Sequence, residues 1–344
     1  MSTYDKWMFD DYIIEAKPAY THDECIEAAK ERGMSMYGDE DDGYLQKKEN
    51  LMKLFCNWVY MCGDEERIFF QQAIELTEKR EPWVEDVNQY PFFILSLCNF
   101  VYLFSYEDNW HLVAPVELIE TYREVIAKDD FAEKNLYYRD LHDYATALCN
   151  LFGTLEIDRF VDIWNQLRKD KITYEEAEGF LYARACFHSV YYCEFDCIIH
   201  NSLNEDDFDE LMKKTGVMDH YMPTKSVIKA YANDDYMDPD LNGQKALKEY
   251  LSIYVSDSDT LESLLAEIFM SCEHMSSPEE VQDVLLDYEL PIDDMDFCKT
   301  FERLYNSFRD NVHIWELCGF TPRQYKVETG EGVPWFALPK TDVD

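Results

Sequence analysis

The sequence predicts a mainly α-helical, multi-helical protein with two small β-hairpins set among its helices. Three observations carry that prediction. Apolar residues recur at i, i+3 and i+4, as in Leu51, Leu54, Phe55, Trp58 and Val59 and again in Leu261, Leu264, Leu265, Ile268 and Phe269. That spacing puts one stripe of a helix against a core. Gly and Pro number only 11 each in 344 residues, too few for a loop-rich or all-β chain. Two short segments replace the helical spacing with aromatic and β-branched residues around a polar turn, the pattern of a hairpin.

The elements follow in order. Thr21 precedes Asp23-Glu24, a hydroxyl cap followed by carboxylates that favour the helix dipole. The apolar stripe Leu51–Val59 is the next helix. Phe100-Val101-Tyr102-Leu103-Phe104 and Trp110-His111-Leu112-Val113 flank Ser105–Asn109 and predict the first hairpin, near 100–113. Pro115-Val116-Glu117 opens a helix, and Thr173 before Glu175-Glu176 opens another. The segment Tyr191 to His200, bounded by Asn201-Ser202, predicts the second hairpin, with the helical run Asp206–Lys214 after it. Ser277-Pro278-Glu279-Glu280 places Pro at a first helical position. Phe301, Leu304, Tyr305, Phe308 and Val312 mark one helix face, with Trp315 as a core anchor beyond it. Gly319 suits a left-handed residue past that helix, Phe320 folds back onto its last turn, and Thr321-Pro322 opens a final helix.

Helices followed by a small hairpin, twice, predict winged-helix-like modules. The length suggests roughly two domains: an N-terminal helical module over 1–130 and a C-terminal one over 140–344, joined near 129–140. A Cys-Asn pair before an apolar residue recurs at Cys56-Asn57, Cys98-Asn99 and Cys149-Asn150, at spacings of 42 and 51 residues. A solenoid holds its period better.

Charge bounds the partners. The chain carries 71 Asp and Glu against 31 Lys and Arg, a formal charge of −40, yet it is 47% hydrophobic and 15% aromatic. It has the apolar residues to fold, and once folded it displays the charge. Such a surface repels nucleic acid and anionic lipid and attracts basic protein. The segment MSTYDKWMFDDYIIEAK lacks the basic start and apolar run of a secretory signal. The longest apolar stretch, Pro91 to Phe104, is too short for a bilayer and is interrupted by Asn99. The expectation is a soluble, cytoplasmic protein whose 11 cysteines are buried thiols in a reducing compartment.

From about Leu148 onward four segments belong together: Leu151-Phe152-Gly153-Thr154-Leu155-Glu156-Ile157-Asp158-Arg159-Phe160; Ile172-Thr173-Tyr174-Glu175-Glu176; Cys197-Ile198-Ile199-His200-Asn201-Ser202-Leu203 with Asp206-Asp207-Phe208; and Asn311-Val312-His313-Ile314-Trp315-Glu316-Leu317-Cys318-Gly319-Phe320-Thr321-Pro322. In these the chain resembles mostly helical proteins of Firmicutes of no established function, often associated with a SEC-C zinc-binding module. The likeness covers a little over half the chain. Val312 and His313 stand where the family pattern has Thr and Arg, and no Cys-x-Cys cluster ends this sequence. Zinc binding through a SEC-C module is therefore not carried over, and the resemblance implies a helical fold without implying a reaction.

Asp238-Pro239-Asp240-Leu241-Asn242-Gly243 with Glu249 fits the calcium-loop spacing. Lys245 stands where a paired loop has an aliphatic residue, and the only partner loop, Gly38 to Glu49, has Gly at its first ligand position. The segment reads as a helix start. His188, Cys193, Cys197 and His200 are zinc-type donors, but on one extended strand Cys193 and Cys197 share a face about 13 Å apart, and only a tight turn at Glu194–Asp196 brings them closer. There is no phosphate loop, nucleophile elbow or HExxH. The sequence assigns no catalytic, cofactor-binding or metal residue.

The acidic clusters remain: Asp39–Asp42, Asp64–Glu66, Glu205–Glu210, Asp234-Asp235 and Asp293–Asp296. They point to a non-enzymatic protein-binding module whose acidic, aromatic surface meets a basic protein. In its concrete form it is a nucleic-acid mimic inhibiting a basic nucleic-acid-handling enzyme, as phage-encoded inhibitors of host defence do. No cofactor, direct duplex binding or membrane contact is expected. The alternatives are a winged-helix-like nucleic-acid binder, for which Trp164–Lys171 is the one basic run, and a metal-dependent enzyme of unknown reaction.

Overall fold

The computed structural model describes residues 19–31, 48–83, 89–106, 109–185, 187, 190–216, 218–232 and 243–339. Among them are fifteen α-helices and two small antiparallel sheets, one of two strands and one of three. The protein is mainly α with small β elements, as the apolar spacing predicts. None of the described helices is long and apolar enough to cross a membrane. The chain clusters into two compact units, one within Met1–His142 and Cys186–His188, the other within Asp143–Ala185 and Ser189–Asp344.

The first unit contains α1 (His22–Glu31), α2 (Lys48–Met61), α3 (Asp64–Lys79), α4 (Gln89–Leu97), the ribbon β1 (Tyr102–Tyr106) and β2 (Asn109–Val113), α5 (Val116–Ile126) and the start of α6 (Phe131–Phe152). Thr21 caps α1 in a reciprocal pair with Glu24. Phe55, Trp58, Phe70 and Phe100 are fully buried, with ring centroids 4.9 to 5.5 Å apart. Each such ring removes roughly 150–250 Å² from water, so aromatic area supplies much of this core. The ribbon is longer at its turn than expected. Pairing continues to Tyr106↔Asn109, because ladder hydrogen bonds do not require apolar side chains. Phe100 and Val101 lie outside it and give their N–H groups to the Leu95 carbonyl at the end of α4.

The second unit continues with β3 (Thr154–Glu156), α7 (Ile157–Leu167), α8 (Tyr174–Ala185), β4 (Tyr191–Glu194), β5 (Cys197–His200), α9 (Glu205–Thr215) and α10 (Lys225–Tyr231). Then come α11 (Gln244–Leu251), α12 (Ser258–Glu273), α13 (Pro278–Asp287), α14 (Met295–Arg309), a 3₁₀ turn (Trp315–Leu317) and α15 (Pro322–Thr329). The predicted caps are present as capping boxes, Thr173 with Glu176, Ser277 with Glu280 and Thr321 with Gln324. β3 is a strand the sequence reading missed. It pairs with β5, giving the sheet order β3-β5-β4. Helix α6, strand β3, helices α7 and α8, then hairpin β4–β5 follow one another in the chain, and β5 lies between β3 and β4. In the first unit the ribbon has no third strand among the described residues.

Glycine is required at two joints. Gly153, with φ +70°, turns the chain from α6 into β3, and a Cβ there would stand 2.5 Å from the Trp315 ring. Gly243, with φ +95°, precedes α11, and a Cβ would stand 2.9 Å from the Phe308 Cα of α14. α11 to α14 enclose a second apolar core, completed by Phe336 and Leu338 of the extended C-terminal segment. Asn306 holds that segment by giving an N–H to the Phe336 carbonyl and accepting the Phe336 N–H, both at 2.9 Å.

Candidate functional site

The three acidic clusters among the described residues sit at helix starts. Asp64–Glu66 opens α3 of the first unit, where Asp64 pairs with Arg67 and Arg139 and Glu66 bonds the Gly63 N–H. Asp293–Asp296 opens α14, capped by Asp294. Asp39–Asp42 and Asp234-Asp235 lie outside the described residues. Glu205–Glu210 opens α9, and here acid meets exposed aromatic rings and a cleft on two sides of one helix.

On one side lies the tip of the β4–β5 hairpin. Phe195 and Asp196 form its two-residue turn with φ of +52° and +60°, the left-handed pair that matches strand twist and is commonly built from Asn-Gly. Side chains with a Cβ adopt that region at a cost of roughly 1–2 kcal/mol per residue. The surroundings hold them there. The Asp196 carbonyl accepts the Ile157 N–H at 2.9 Å, and the Tyr182 and Tyr174 phenols stand near Asp196. Burial, then the charges of Asp196, Glu178 and Asp158, push the Tyr174 phenol up to about 12. The result is a Phe195 ring 67% exposed, beside exposed Tyr182 and among carboxylates.

Helix α8 precedes the β4–β5 hairpin. Its outer side carries Glu175, Glu178 and Tyr182, while Ala177, Phe180, Leu181 and Arg184 are buried. The one basic run closes the end of α7. Lys171 donates to the Arg168 carbonyl at 3.0 Å and to that of Asn165. The Arg168 guanidinium lies 5.0 Å from the Trp164 ring.

On the other side of α9 is a cleft of about 450 Å³, lined by Asp207, Glu210, Lys214, His274, Glu280 and Glu316 among others. Lys214 bridges Glu210 at 2.9 Å and Glu316 at 2.8 Å, and these carboxylates, Glu316 first, raise its pKa. The His274 ring lies against Trp315, centroids 4.2 Å apart and planes tilted by 36°, and the Trp315 indole donates to the Asn150 carbonyl at 2.9 Å. Burial lowers the pKa of His274 against the opposing pull of Asp207 and Glu280. Burial, and then His274, hold His200 down at about 4. Burial disfavours the charged form of His274, and the cleft sets four carboxylates against the Lys214 ammonium.

The donors weighed for zinc do not converge. Tyr191 pairs with His200, Cys193 with Ile198 and Glu194 with Cys197. Paired residues share a face and neighbours alternate, so Cys193 and His200 are on one face and Cys197 is on the other. The tight turn that the zinc reading required is present, yet it separates the two thiols. His188 lies outside the described residues, as do Asp238 to Asn242 of the calcium pattern. Glu249 of that pattern sits on α11, 3.9 Å from Lys245. No group of three His, Cys, Asp or Glu among the described residues is placed to hold a metal ion.

One contact has the residue types of a nucleophile and its base. His200 Nδ1 is 2.7 Å from the Ser202 Oγ and accepts the Ser202 N–H at 3.2 Å. A ring whose pKa is near 4, and whose lone pair is already engaged by a backbone N–H, is a weak base at neutral pH. Two buried thiols are equally quiet: burial first raises Cys272 to about 12 and Cys318 to about 11, and thiols at those values stay protonated.

The sequence reading singled out Trp315 and the Glu205–Glu210 cluster, but not their meeting with His274 and Lys214. Three segments more than 30 residues apart build the cleft, and no spacing rule spans them. No protein-family model, curated protein or solved structure matches this chain.

Proposed function

We propose that this protein is a non-enzymatic binding module whose second unit docks an acidic, aromatic face on a basic protein surface. One observation carries the reading. In the second unit, α8 and the β4–β5 hairpin bear Glu175, Glu178, Glu194 and Asp196 around Tyr182 and Phe195. Nucleic-acid binders present basic residues instead. A phosphate backbone is repelled from such a face, and a basic patch is steered to it over long range. Exposed Phe and Tyr supply the apolar contact that interface cores need. The specific form of the proposal is a nucleic-acid mimic that occupies the binding groove of a nucleic-acid-handling enzyme.

The test is affinity capture of partners at about 0.05 M and about 0.5 M NaCl, a range over which surface charge becomes strongly screened. Recovery of a basic nucleic-acid enzyme at low salt, displaced by duplex DNA or RNA, supports mimicry. Recovery of nucleic acid by the isolated protein overturns it.

A further inference from the structure

The cleft beside α9 has a chemistry of its own. Its carboxylates stand around a volume of about 450 Å³, and none of the described donor groups can close on a metal ion. The cation that suits it has spread charge and an apolar stem. Lys214 marks where such a charge sits, between Glu210 and Glu316 at 2.9 and 2.8 Å. The His274 ring, backed by Trp315 at 4.2 Å, offers a flat surface, and Asp207 and Glu280 line the same cleft. A guanidinium matches these features better than an ammonium. It is planar, stacks on rings and forks onto a carboxylate with two parallel hydrogen bonds.

We propose that this cleft is a pocket for an arginine side chain of the basic partner, and that Lys214 is its intramolecular stand-in, displaced when the arginine enters. The pocket rests on the reading of a basic partner and adds the residue that partner must present. The Lys214 side chain is 42% exposed, and exposed ion pairs are weak enough to exchange at little cost. Removing the ammonium therefore strengthens cation binding at this place.

The experiment is calorimetric titration of the full chain with nona-arginine at about 0.15 M NaCl, where unlinked surface charges are screened beyond about 8 Å. Lys214→Met keeps the stem and removes the charge. Lys213→Met, one residue away on α9 and paired with Asp209, changes the net charge equally. Lys214→Met is expected to tighten binding on the order of five-fold more than Lys213→Met, as loss of one like charge a few ångströms from the ligand implies. Glu316→Gln is expected to weaken binding more than Glu289→Gln, an exposed change outside the cleft. Equal shifts in the two lysine variants, or in the two glutamate variants, overturn the pocket while leaving the basic-partner reading standing. Affinity for nona-lysine equal to that for nona-arginine overturns the guanidinium assignment. No binding of nona-arginine to the wild-type chain overturns both readings.

Discussion

The Phe195 ring lies 6.0 Å from that of Phe208, nearly parallel at 22°, so the hairpin tip rests on α9 although Phe195 itself is largely exposed. The contact joins a strained turn to the helix that also walls the cleft. Replacing Phe195-Asp196 with Asn-Gly removes a left-handed cost of roughly 1–2 kcal/mol per residue and gives up a ring pair worth roughly 0.5–1.5 kcal/mol. Urea unfolding is expected to show a net gain of about 1 kcal/mol, with weaker capture of the partner. A less stable variant would show that the turn is not strained.

Gly153 and Gly179 make a matched pair. Gly153→Ala forces a Cβ to 2.5 Å from Trp315 at φ +70°, and overpacking together with the left-handed cost is expected to destabilise by about 3 kcal/mol. Gly179, on the outer side of α8, has nothing within 4 Å of an added Cβ. Gly179→Ala is expected to stabilise by up to about 1 kcal/mol through helix propensity. Thermal melts of the two variants should move in opposite directions.

Asn306→Ala deprives the Phe336 N–H and carbonyl of their shared partner. The expected loss is about 2–4 kcal/mol for two stranded backbone groups. It should come with faster hydrogen exchange at the Phe336 and Leu338 amides than at those of α12. Unchanged exchange would show that the apolar packing of Phe336 and Leu338 and the Leu338 N–H bond to Glu302 hold the segment without Asn306.

Acid should destabilise the fold through buried histidines. Burial lowers His313 to about 4, although its hydrogen bond to the Gly319 carbonyl opposes the shift. The unfolded ring titrates near 6.5. Between those values the unfolded chain binds more protons than the native one, so stability is full above about pH 6.5 and falls as pH drops towards 4, by at most about 3 kcal/mol per such group. His313→Gln is expected to flatten the slope of unfolding free energy between pH 6.5 and 4.5. A slope identical to wild type would assign the pH dependence elsewhere.

Much of the fold is legible because its signals are local. Thr21, Thr173, Ser277 and Thr321 each begin a helix where a hydroxyl and a carboxylate or amide three residues on each accept the other residue's backbone N–H. Both hairpins follow from aromatic and β-branched runs. β3 was hidden because three residues, Thr154 to Glu156, are too few to show alternation between two helices. The repeated Cys-Asn pairs do different work: Cys56 is inside α2, Asn99 turns the chain at φ +60° after α4, and buried Asn150 donates to the Tyr231 carbonyl. The expected junction near 129–140 is mostly helical, since α6 runs unbroken from Phe131 to Phe152. The cleft was illegible for a different reason. Its charge pattern exists only after Lys214, His274 and Glu316 are brought together by packing.

Charge reversal on α8 tests the central claim most directly. Glu175→Lys with Glu178→Lys changes the outer side of α8, and Glu249→Lys with Glu289→Lys makes the same change in net charge elsewhere in the second unit. At about 0.05 M NaCl, where the screening length is still above 10 Å, the first pair should abolish capture of the basic partner and the second should leave it nearly intact. Equal capture by both variants, or capture unchanged for the wild-type chain in about 1 M NaCl, where the screening length is about 3 Å, would contradict a shaped acidic face as the determinant of binding.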